Sequence, residues 1–446
     1  MENRHPWYFN KKILFFAALI TLVVFLVLFE YSSKMRLKAT YQIQIDRILN
    51  KFKQNNIPTS SLELHELYHR GDISDNAADL FEKVFKIRDE QEEVLHPVVP
   101  KGEDDYYIDE LPPVQQAMDS EKEKKLDEYL ESCAQAILIL KQAGDKKECR
   151  FPIDWTKGTS TLLPQISGIK DSVKLLCLYA YRQKQKGNIQ EAMQAIVLSI
   201  KLAQYLRQEP ALISQMVRHT SEKTALTMMA KLLSGTPVPK EYIQPIYSMI
   251  QDESKDFFSI QGCHAGEISM VMHLFEVYKD CDEMNKFSLG SKMSKWQHFF
   301  YMLSSYWEQD QLEYLTMSYD IYEALLKSHA SHSWKLYLKT INRIDASGKS
   351  LPILKPITRL FLPGGCLKYN LENIALRRCA QAILAINMHC QIHKNFPEKI
   401  EIPIDPFDDN PLRYKRLNSG FLVYSIGKDE EDNQGDPVND LVLEVQ

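Results

Sequence analysis

The chain has 446 residues, with 54 Lys and Arg against 59 Asp and Glu, giving a net charge of −5 at pH 7. This balance excludes a strongly basic nucleic-acid binder and a strongly acidic tail protein, so we expect no nucleic-acid partner. A hydrophobic content of 44% excludes wholesale disorder, and the low number of glycines, 16, favours helices over a fold with many turns. The length predicts about three domains.

The first predicted element is an apolar helix. Residues 13–29 contain no charge, and Thr21 is their only polar residue. A helix of this length spans about 26 Å, close to the thickness of a bilayer's hydrocarbon core. We therefore predict a short N-terminal tail at residues 1–12 and a transmembrane anchor at 13–31. A cleaved signal peptide is the alternative, but residues 29–33 do not form a small-x-small cleavage site.

The charges that flank this segment do not decide its orientation. Three basic residues lie on each side, namely Arg4, Lys11 and Lys12 before it and Lys34, Arg36 and Lys38 after it. A short tail before the span and a long domain after it favour a cytoplasmic tail. We expect a single-pass protein of the cell inner membrane with most of the chain extracytoplasmic.

Residues 32–345 are predicted to form a large helical region. Residues 168–207 are the clearest helical pair, because apolar positions recur at three and four on both sides of a Lys186-Gly187-Asn188 turn. A glycine turn followed by small residues at a helix crossing resembles a tetratricopeptide hairpin. Further helices are predicted at about 35–52, 75–95, 114–143, 210–233, 239–260, 264–288, 292–305 and 308–342, with a proline-rich break at 96–113.

The cysteines give no sign of a metal site. None of the eight forms C-x-x-C or a zinc spacing, and we expect buried, small hydrophobic residues, with disulfides left open. A Pro- and Gly-containing linker is predicted at 346–368. Residues 369–446 then change character, with a helix at about 369–394 followed by three short strand signals.

Residues 65–69 read HELYH, which matches the H-E-x-x-H pattern. On a helix His65 and His69 share a face, so they could hold one zinc ion while Glu66 activates a water molecule, as in a metallopeptidase. However, Gly71 predicts a short helix, and no third ligand is evident. We favour the alternative of solvated surface histidines.

Residues 429–440 form an acidic loop with six acids and no base. Carboxylate and amide oxygens are the ligands that calcium prefers, although the EF-hand spacing is missing. From composition alone, a solvated acidic loop is the favoured interpretation.

The order of the C-terminal motifs resembles the major pseudopilins of type II secretion systems. The matching motifs are Phe396-Pro397, Asp405-Pro406-Phe407, Asn410-Pro411-Leu412-Arg413-Tyr414, Gly420-Phe421, Tyr424-Ser425-Ile426-Gly427 and Asp440-Leu441-Val442. The resemblance implies a loop that binds calcium and stabilises the small sheet.

The candidate calcium ligands that this resemblance implies are Asp432, Asn433, Asp436 and Asp440. The resemblance does not extend to the N-terminus. The apolar helix lacks the processed glycine-Phe-Thr-Leu-x-Glu start of pseudopilins, and more than 300 residues separate it from the C-terminal motifs.

The whole chain is also similar to an uncharacterised membrane-anchored family of planctomycete-type bacteria. The shared features are the anchor, the Asn76-Ala77-Ala78 helix start, the segment at 207–215 and the pseudopilin-like end. The resemblance implies no activity, and it implies that residues 65–69 are not a zinc site.

Together these features predict a mainly α protein with an N-terminal transmembrane helix, a partly tetratricopeptide-like helical region and a small C-terminal α+β module. We expect a non-enzymatic scaffold or protein-interaction protein of the cell envelope, with unidentified protein partners and calcium as the one candidate cofactor. The alternatives are a zinc metallopeptidase and an accessory component of a secretion or pilus-like system.

Overall fold

The computed structural model describes residues 7–71, 73–95, 111–235, 238–287, 294–349, 357–358, 367–393, 395, 397 and 401–446. In these residues the fold is mostly helical, with one long apolar N-terminal helix and a small antiparallel sheet near the C-terminus, as the sequence predicts. The helices are α1 Trp7–Gln54, α2 Ser61–Tyr68, α3 Ala78–Leu95, α4 Ser120–Ser132, α5 Ala134–Asp145, α6 Gln165–Gln185, α7 Ile189–Gln204, α8 Leu212–Leu233, α9 Lys240–Gln251, α10 Ser254–Val277, α11 Cys281–Phe287, α12 Lys295–Leu303, α13 Tyr306–Ser331, α14 Lys335–Lys349 and α15 Lys368–His393.

Several predicted helix boundaries are wrong. The helix predicted at 114–143 begins only at Ser120 and is divided at Cys133 into α4 and α5. The helix predicted at 308–342 is divided into α13 and α14, because His332 adopts a left-handed φ of 54° and ends α13. The helix predicted to begin at 264 instead begins at Ser254.

Parts of other predictions lie outside the described residues. They include residues 1–6 of the tail, 96–110 of the proline-rich break, 350–356 and 359–366 of the linker, and Phe396 of the pseudopilin-like motifs. The described end of the tail, residues 7–12, belongs to α1, and residues 346–349 of the predicted linker belong to α14.

The chain divides into two compact units, of which unit 1 comprises Met1–Ile57, His273–Tyr319 and Ser347–Leu362. Within unit 1, α13 runs parallel to the second half of α1. Lys38 pairs with Glu308 at 3.4 Å near one end, and the rings of Phe52 and Tyr319 lie 5.4 Å apart at the other. Helix α1 is thereby packed along its C-terminal half.

Unit 2 comprises Pro58–Met272, Asp320–Ala346 and Pro363–Gln446. Its core is built on the mutual packing of α6, α7 and α8, with α15 and α9 against the same surface. The sequence predicts the α6–α7 turn correctly: Gly187 takes a left-handed φ of 83°, which glycine adopts without steric cost. Cys177 and Cys379 are buried in this core, as expected for small hydrophobic residues.

The three strands lie where the sequence predicts them, at β1 Arg413–Arg416, β2 Phe421–Ser425 and β3 Leu441–Val445. They form an antiparallel sheet in the order β1-β2-β3. The sheet packs on α15, and β3 also contacts α8. Helix α15 and the three strands thus share a core with the helices of unit 2. The module boundary at 369 stays a prediction.

Candidate functional site

The HELYH segment covers the second half of the short helix α2 and its C-cap residue, His69. Ser60 caps this helix by accepting a hydrogen bond from the Glu63 N–H at 3.2 Å, and the Glu63 carboxylate accepts one from the Thr59 N–H at 2.7 Å. These two bonds cap the helix start, although the Glu63 carboxylate bonds to the residue before the N-cap and not to the N-cap N–H of a capping box. The helix ends at Tyr68, and Gly71 follows with a φ of 82°.

His65 and His69 lie together, with ring centroids 4.4 Å apart. The His69 Nε2 lies 2.9 Å from the Ile153 carbonyl oxygen, which can only accept, so this nitrogen carries a proton and donates. The His65 Nδ1 lies 3.8 Å from an oxygen of Asp154, a residue that the sequence does not single out. Glu66 is exposed.

No third zinc ligand is brought to these histidines by the part of the chain that the structure describes. Among the described residues, no three His, Cys, Asp or Glu side chains are grouped closely enough to hold a metal ion. Zinc binding by His65 and His69, with Glu66 as the base, stays a prediction.

Carboxylates of the acidic loop accept hydrogen bonds from N–H groups of the loop's own backbone. The buried Asp440 carboxylate accepts hydrogen bonds from the N–H groups of Asn433, at 3.3 Å, and Gly435, at 2.6 Å. Asp436 accepts from the Val438 N–H, and Asp432 accepts from the Tyr424 hydroxyl at 3.1 Å. The four predicted calcium ligands therefore lie in one loop, each with internal hydrogen bonds, and calcium binding stays a prediction.

Asp405 connects the pseudopilin-like motifs to one another. Its buried carboxylate accepts from the Ser425 hydroxyl at 2.8 Å, the Ile426 N–H at 3.1 Å and Arg413 Nη1 at 2.7 Å. It also accepts from the Phe407 N–H at 3.1 Å, which closes the turn after it. Burial raises the pKa of this carboxyl, whereas these hydrogen bonds and the Arg413 charge lower it. The motif that precedes β1 is thereby joined to the end of β2.

One buried polar site was not revealed by the sequence, and we call its five members the Asp256 cluster: Arg207, Arg218, Glu222, Asp256 and Arg377. The Asp256 carboxylate pairs with Arg377, with Arg218 at 3.3 Å and with Arg207 at 3.4 Å. Arg218 also pairs with Glu222 at 3.3 Å. Helices α8, α10 and α15 each contribute to it.

The Asp256 cluster contains three guanidinium groups and two carboxylates, so its net charge is +1. The Arg377 Nη2 atom donates to the carbonyl oxygens of Met249 and Asp252, at 3.3 and 3.5 Å, at the C-terminal end of α9. Because a helix C-terminus carries partial negative charge, it offsets the excess positive charge. Burial by itself would raise the pKa of Glu222, but the neighbouring arginines lower it, so the carboxylate stays ionised.

The segment at 207–215 leads into this cluster. The Gln215 amide donates to the carbonyl oxygens of Leu206, at 2.9 Å, and Glu209, at 2.7 Å, while its oxygen accepts from Arg218 Nε at 2.8 Å. The Glu209 carboxylate accepts from Gln165 at 2.9 Å and Ser214 at 2.5 Å. Burial raises the pKa of Glu209 to about 7, although these hydrogen bonds lower it.

These contacts join helices to one another. Arg218, Glu222, Asp256 and Arg377 are almost fully buried and pair with each other, while Glu222 Oε2 and Arg377 Nε have no hydrogen-bond partner among the described residues. Within the helix, the sequence signal was the placement of Arg218 and Glu222 four residues apart. That spacing is equally typical of an exposed ion pair.

The chain was also compared with known proteins. No protein-family model, no curated protein and no solved structure matches it.

Proposed function

We propose that the chain is a non-enzymatic scaffold or protein-interaction protein that a single helix anchors in a membrane. One observation carries this proposal. The large apolar side chains of residues 13–29 are 45–67% exposed, whereas Ile45 and Phe52, on the same uninterrupted helix α1, are buried. By length and composition α1 can cross a membrane, with a mean hydropathy of 2.8 in its most apolar window. A bilayer would remove that apolar surface from water.

The orientation that we propose follows from the sequence. Nearly all of the packed chain follows the span, and we propose an inner-membrane protein with this bulk outside the cytoplasm. The charged residues of the Asp256 cluster are buried and form ion pairs with each other, and these pairs support a structural role over a catalytic one. The tetratricopeptide-like α6–α7 hairpin, with Ala192 and Ala195 buried at the crossing, is the proposed scaffold element for a protein partner.

The anchor is tested by membrane extraction of the full chain. We expect wild type to stay in the membrane pellet at alkaline pH, and Ile20→Arg/Val24→Arg to release the chain. Each arginine near the centre of a span costs about 3 kcal/mol of insertion free energy. The matched control is Leu162→Arg/Val438→Arg, which makes the same change at exposed positions of unit 2 and should leave the chain in the pellet. Release of wild type, or equal behaviour of the two double variants, would contradict the anchor.

We also propose that calcium stabilises the acidic loop, through Asp432, Asn433, Asp436 and Asp440. The resemblance to pseudopilins supports this, as does the contact of Asp405 with Ser425 and Ile426, which joins two of the matching motifs. A ligand of the native state raises the melting temperature. We expect calcium to raise the melting temperature of the wild type and a chelator to reverse that rise. The melting temperature of Asp436→Asn should respond to neither. A melting temperature that does not respond to calcium would remove this proposal.

Metal analysis of the purified full chain distinguishes the metallopeptidase alternative from the non-enzymatic proposal. One zinc ion per chain, lost on His65→Ala, would overturn the non-enzymatic proposal. Co-purification with a secretion component would instead support the accessory role in a pilus-like system.

A further inference from the structure

Helix α15 carries a stripe of buried polar side chains where it packs on α8. Asn370, Asn373 and Arg377 recur at three and four along α15, so they share one face of that helix. Their exposed fractions are 4%, 1% and 0%. Helix α8 contributes His219 and Glu222, which are also buried and lie three residues apart. The contact between the two helices, which we call the α8–α15 seam, is therefore polar although it lies inside unit 2.

Each of these five side chains has a polar atom without a hydrogen-bond partner. Within the part of the chain that the structure describes, these buried atoms are His219 Nδ1, Glu222 Oε2, Asn370 Nδ2, Asn373 Oδ1 and Nδ2, and Arg377 Nε. Burying a polar atom without a hydrogen bond costs free energy, and most buried polar atoms in folded proteins have a protein or water partner. Six such atoms in one seam indicate a site that a further molecule completes.

The contacts around these atoms bring them together. Arg218 pairs with Glu222 and with Asp256, each at 3.3 Å, and Asp256 in turn pairs with Arg377. Burial raises the pKa of Glu222, the neighbouring arginines lower it, and the facing Asn373 amide lowers it further. The facing amide and carboxylate nevertheless do not reach the geometry of a direct hydrogen bond. Two polar groups that face each other in this way are a typical setting for a bridging water molecule.

The chemistry of the six atoms selects water over an ion. Arg377 Nε, Asn370 Nδ2 and Asn373 Nδ2 donate, whereas Glu222 Oε2 and Asn373 Oδ1 accept. A water molecule donates two hydrogen bonds and accepts two, so it can serve both kinds of atom. An anion would serve the donors alone and would face the carboxylates of Glu222 and Asp256. A cation would serve the acceptors alone and would face the three arginines of the Asp256 cluster.

We propose that the α8–α15 seam is an internal hydration site, in which water molecules bridge Asn370 and Asn373 to Glu222 and Arg377 of the Asp256 cluster. A buried water forms about three hydrogen bonds, so the six atoms correspond to about two water molecules. These waters complete the hydrogen bonds of the core and are part of the folded structure. The site is independent of the proposed membrane anchor and of the proposed calcium loop.

The test counts long-lived internal waters by ¹⁷O magnetic relaxation dispersion of the full chain in detergent. We expect Asn373→Leu to lower this number by about one to two, because it removes two of the atoms that hold the waters. Gln381→Leu is the matched control on the same stripe of α15. Gln381 is 8% exposed, but its amide donates directly to the Ile250 carbonyl oxygen at 2.8 Å, so this change should leave the number unaltered. Equal numbers for wild type and a folded Asn373→Leu would overturn the hydration site.

A second measurement uses the wild type alone and does not depend on how the variants fold. X-ray radiolysis converts a bound water into a hydroxyl radical in place, and the radical oxidises the side chains beside it. We expect oxidation of His219 and none of Met270, which has the same exposed fraction of 7% but lies in the apolar core. Methionine is itself readily oxidised, so it is a stringent control. An unmodified His219, or equal oxidation of both residues, would overturn the proposal.

Discussion

Arg377 and Asp256 form an ion pair between residues 121 positions apart in the chain, and their side chains are only 0% and 3% exposed. This pair fixes the C-terminal helix α15 to the start of α10. Arg377 and Gln381 also donate to backbone oxygens at the end of α9, which adds a third helix to the contact.

We expect Asp256→Asn to lower the free energy of unfolding by roughly 3–5 kcal/mol, because three buried arginines would remain with Glu222 as their only carboxylate. Glu253→Gln is the control: its partner Arg378 is nearer the surface, and a loss of about 1 kcal/mol or less is expected. Urea unfolding in detergent, followed by circular dichroism, measures both. Equal losses would mean that Asp256 is not the centre of the cluster.

Gly266 allows α10 to approach the segment at 207–215. A Cβ atom there would lie 1.6 Å from the Pro210 carbonyl oxygen, so Gly266→Ala should lower the free energy of unfolding by about 1–3 kcal/mol. Gly262, one turn earlier on α10, has open space around it, and Gly262→Ala should raise stability by roughly 0.5–1 kcal/mol. Opposite signs in the same unfolding assay are expected, and a neutral Gly266→Ala would contradict the close approach.

Glu209 should make stability depend on pH. Burial raises its pKa from 4.5 to about 7, so between these values the folded chain holds a proton that the unfolded chain has released. Wild-type stability from this group therefore falls as the pH rises from 4.5 to 7. Glu209→Gln removes the effect, so its stability relative to wild type should grow over that range, by about 3 kcal/mol in total. Melting temperatures of both proteins from pH 4.5 to 8 measure this difference, and a constant difference would contradict the raised pKa.

Asp405 is expected to hold the C-terminal sheet in place. Asp405→Asn removes the charge that pairs with Arg413 and sets an amide N–H₂ group against buried donors, so a loss of roughly 3–5 kcal/mol is expected. Asp432→Asn is the matched control, because Asp432 faces the same Arg413 at 3.5 Å but is 45% exposed. That change should cost about 1 kcal/mol or less. Similar unfolding midpoints for the two variants would contradict the role given to Asp405.

Local patterns predicted those parts of the fold that local interactions determine. The apolar run, the turn at Gly187 and the three C-terminal strands are each specified by residues close together in sequence. The end of α13 was missed because no glycine or proline marks it. There His332 takes the left-handed conformation, and the Ser333 N–H bonds to the Ser328 carbonyl oxygen, as in a Schellman motif.

The buried polar site could not be predicted in the same way. Arg207, Asp256 and Arg377 come from three distant parts of the chain, and nothing in a single sequence distinguishes a charge that will be buried from one that stays in water. The resemblance did mark the segment at 207–215, and Asn76 from the same set bonds to the backbone of Arg150 in both directions. In neither case did the resemblance indicate which residues these positions contact in the fold.

The unbroken course of α1 leaves no hinge between its packed C-terminal half and the apolar run. Residues 30–44 continue the same helix, so the tilt of residues 13–29 sets the tilt of every side chain that packs on Ile45 and Phe52. One inserted residue in this stretch would turn the packed part of unit 1 by about 100° relative to the apolar run and move it by about 1.5 Å. Within unit 1, the phase of the helix therefore determines how the packed part is turned relative to residues 13–29.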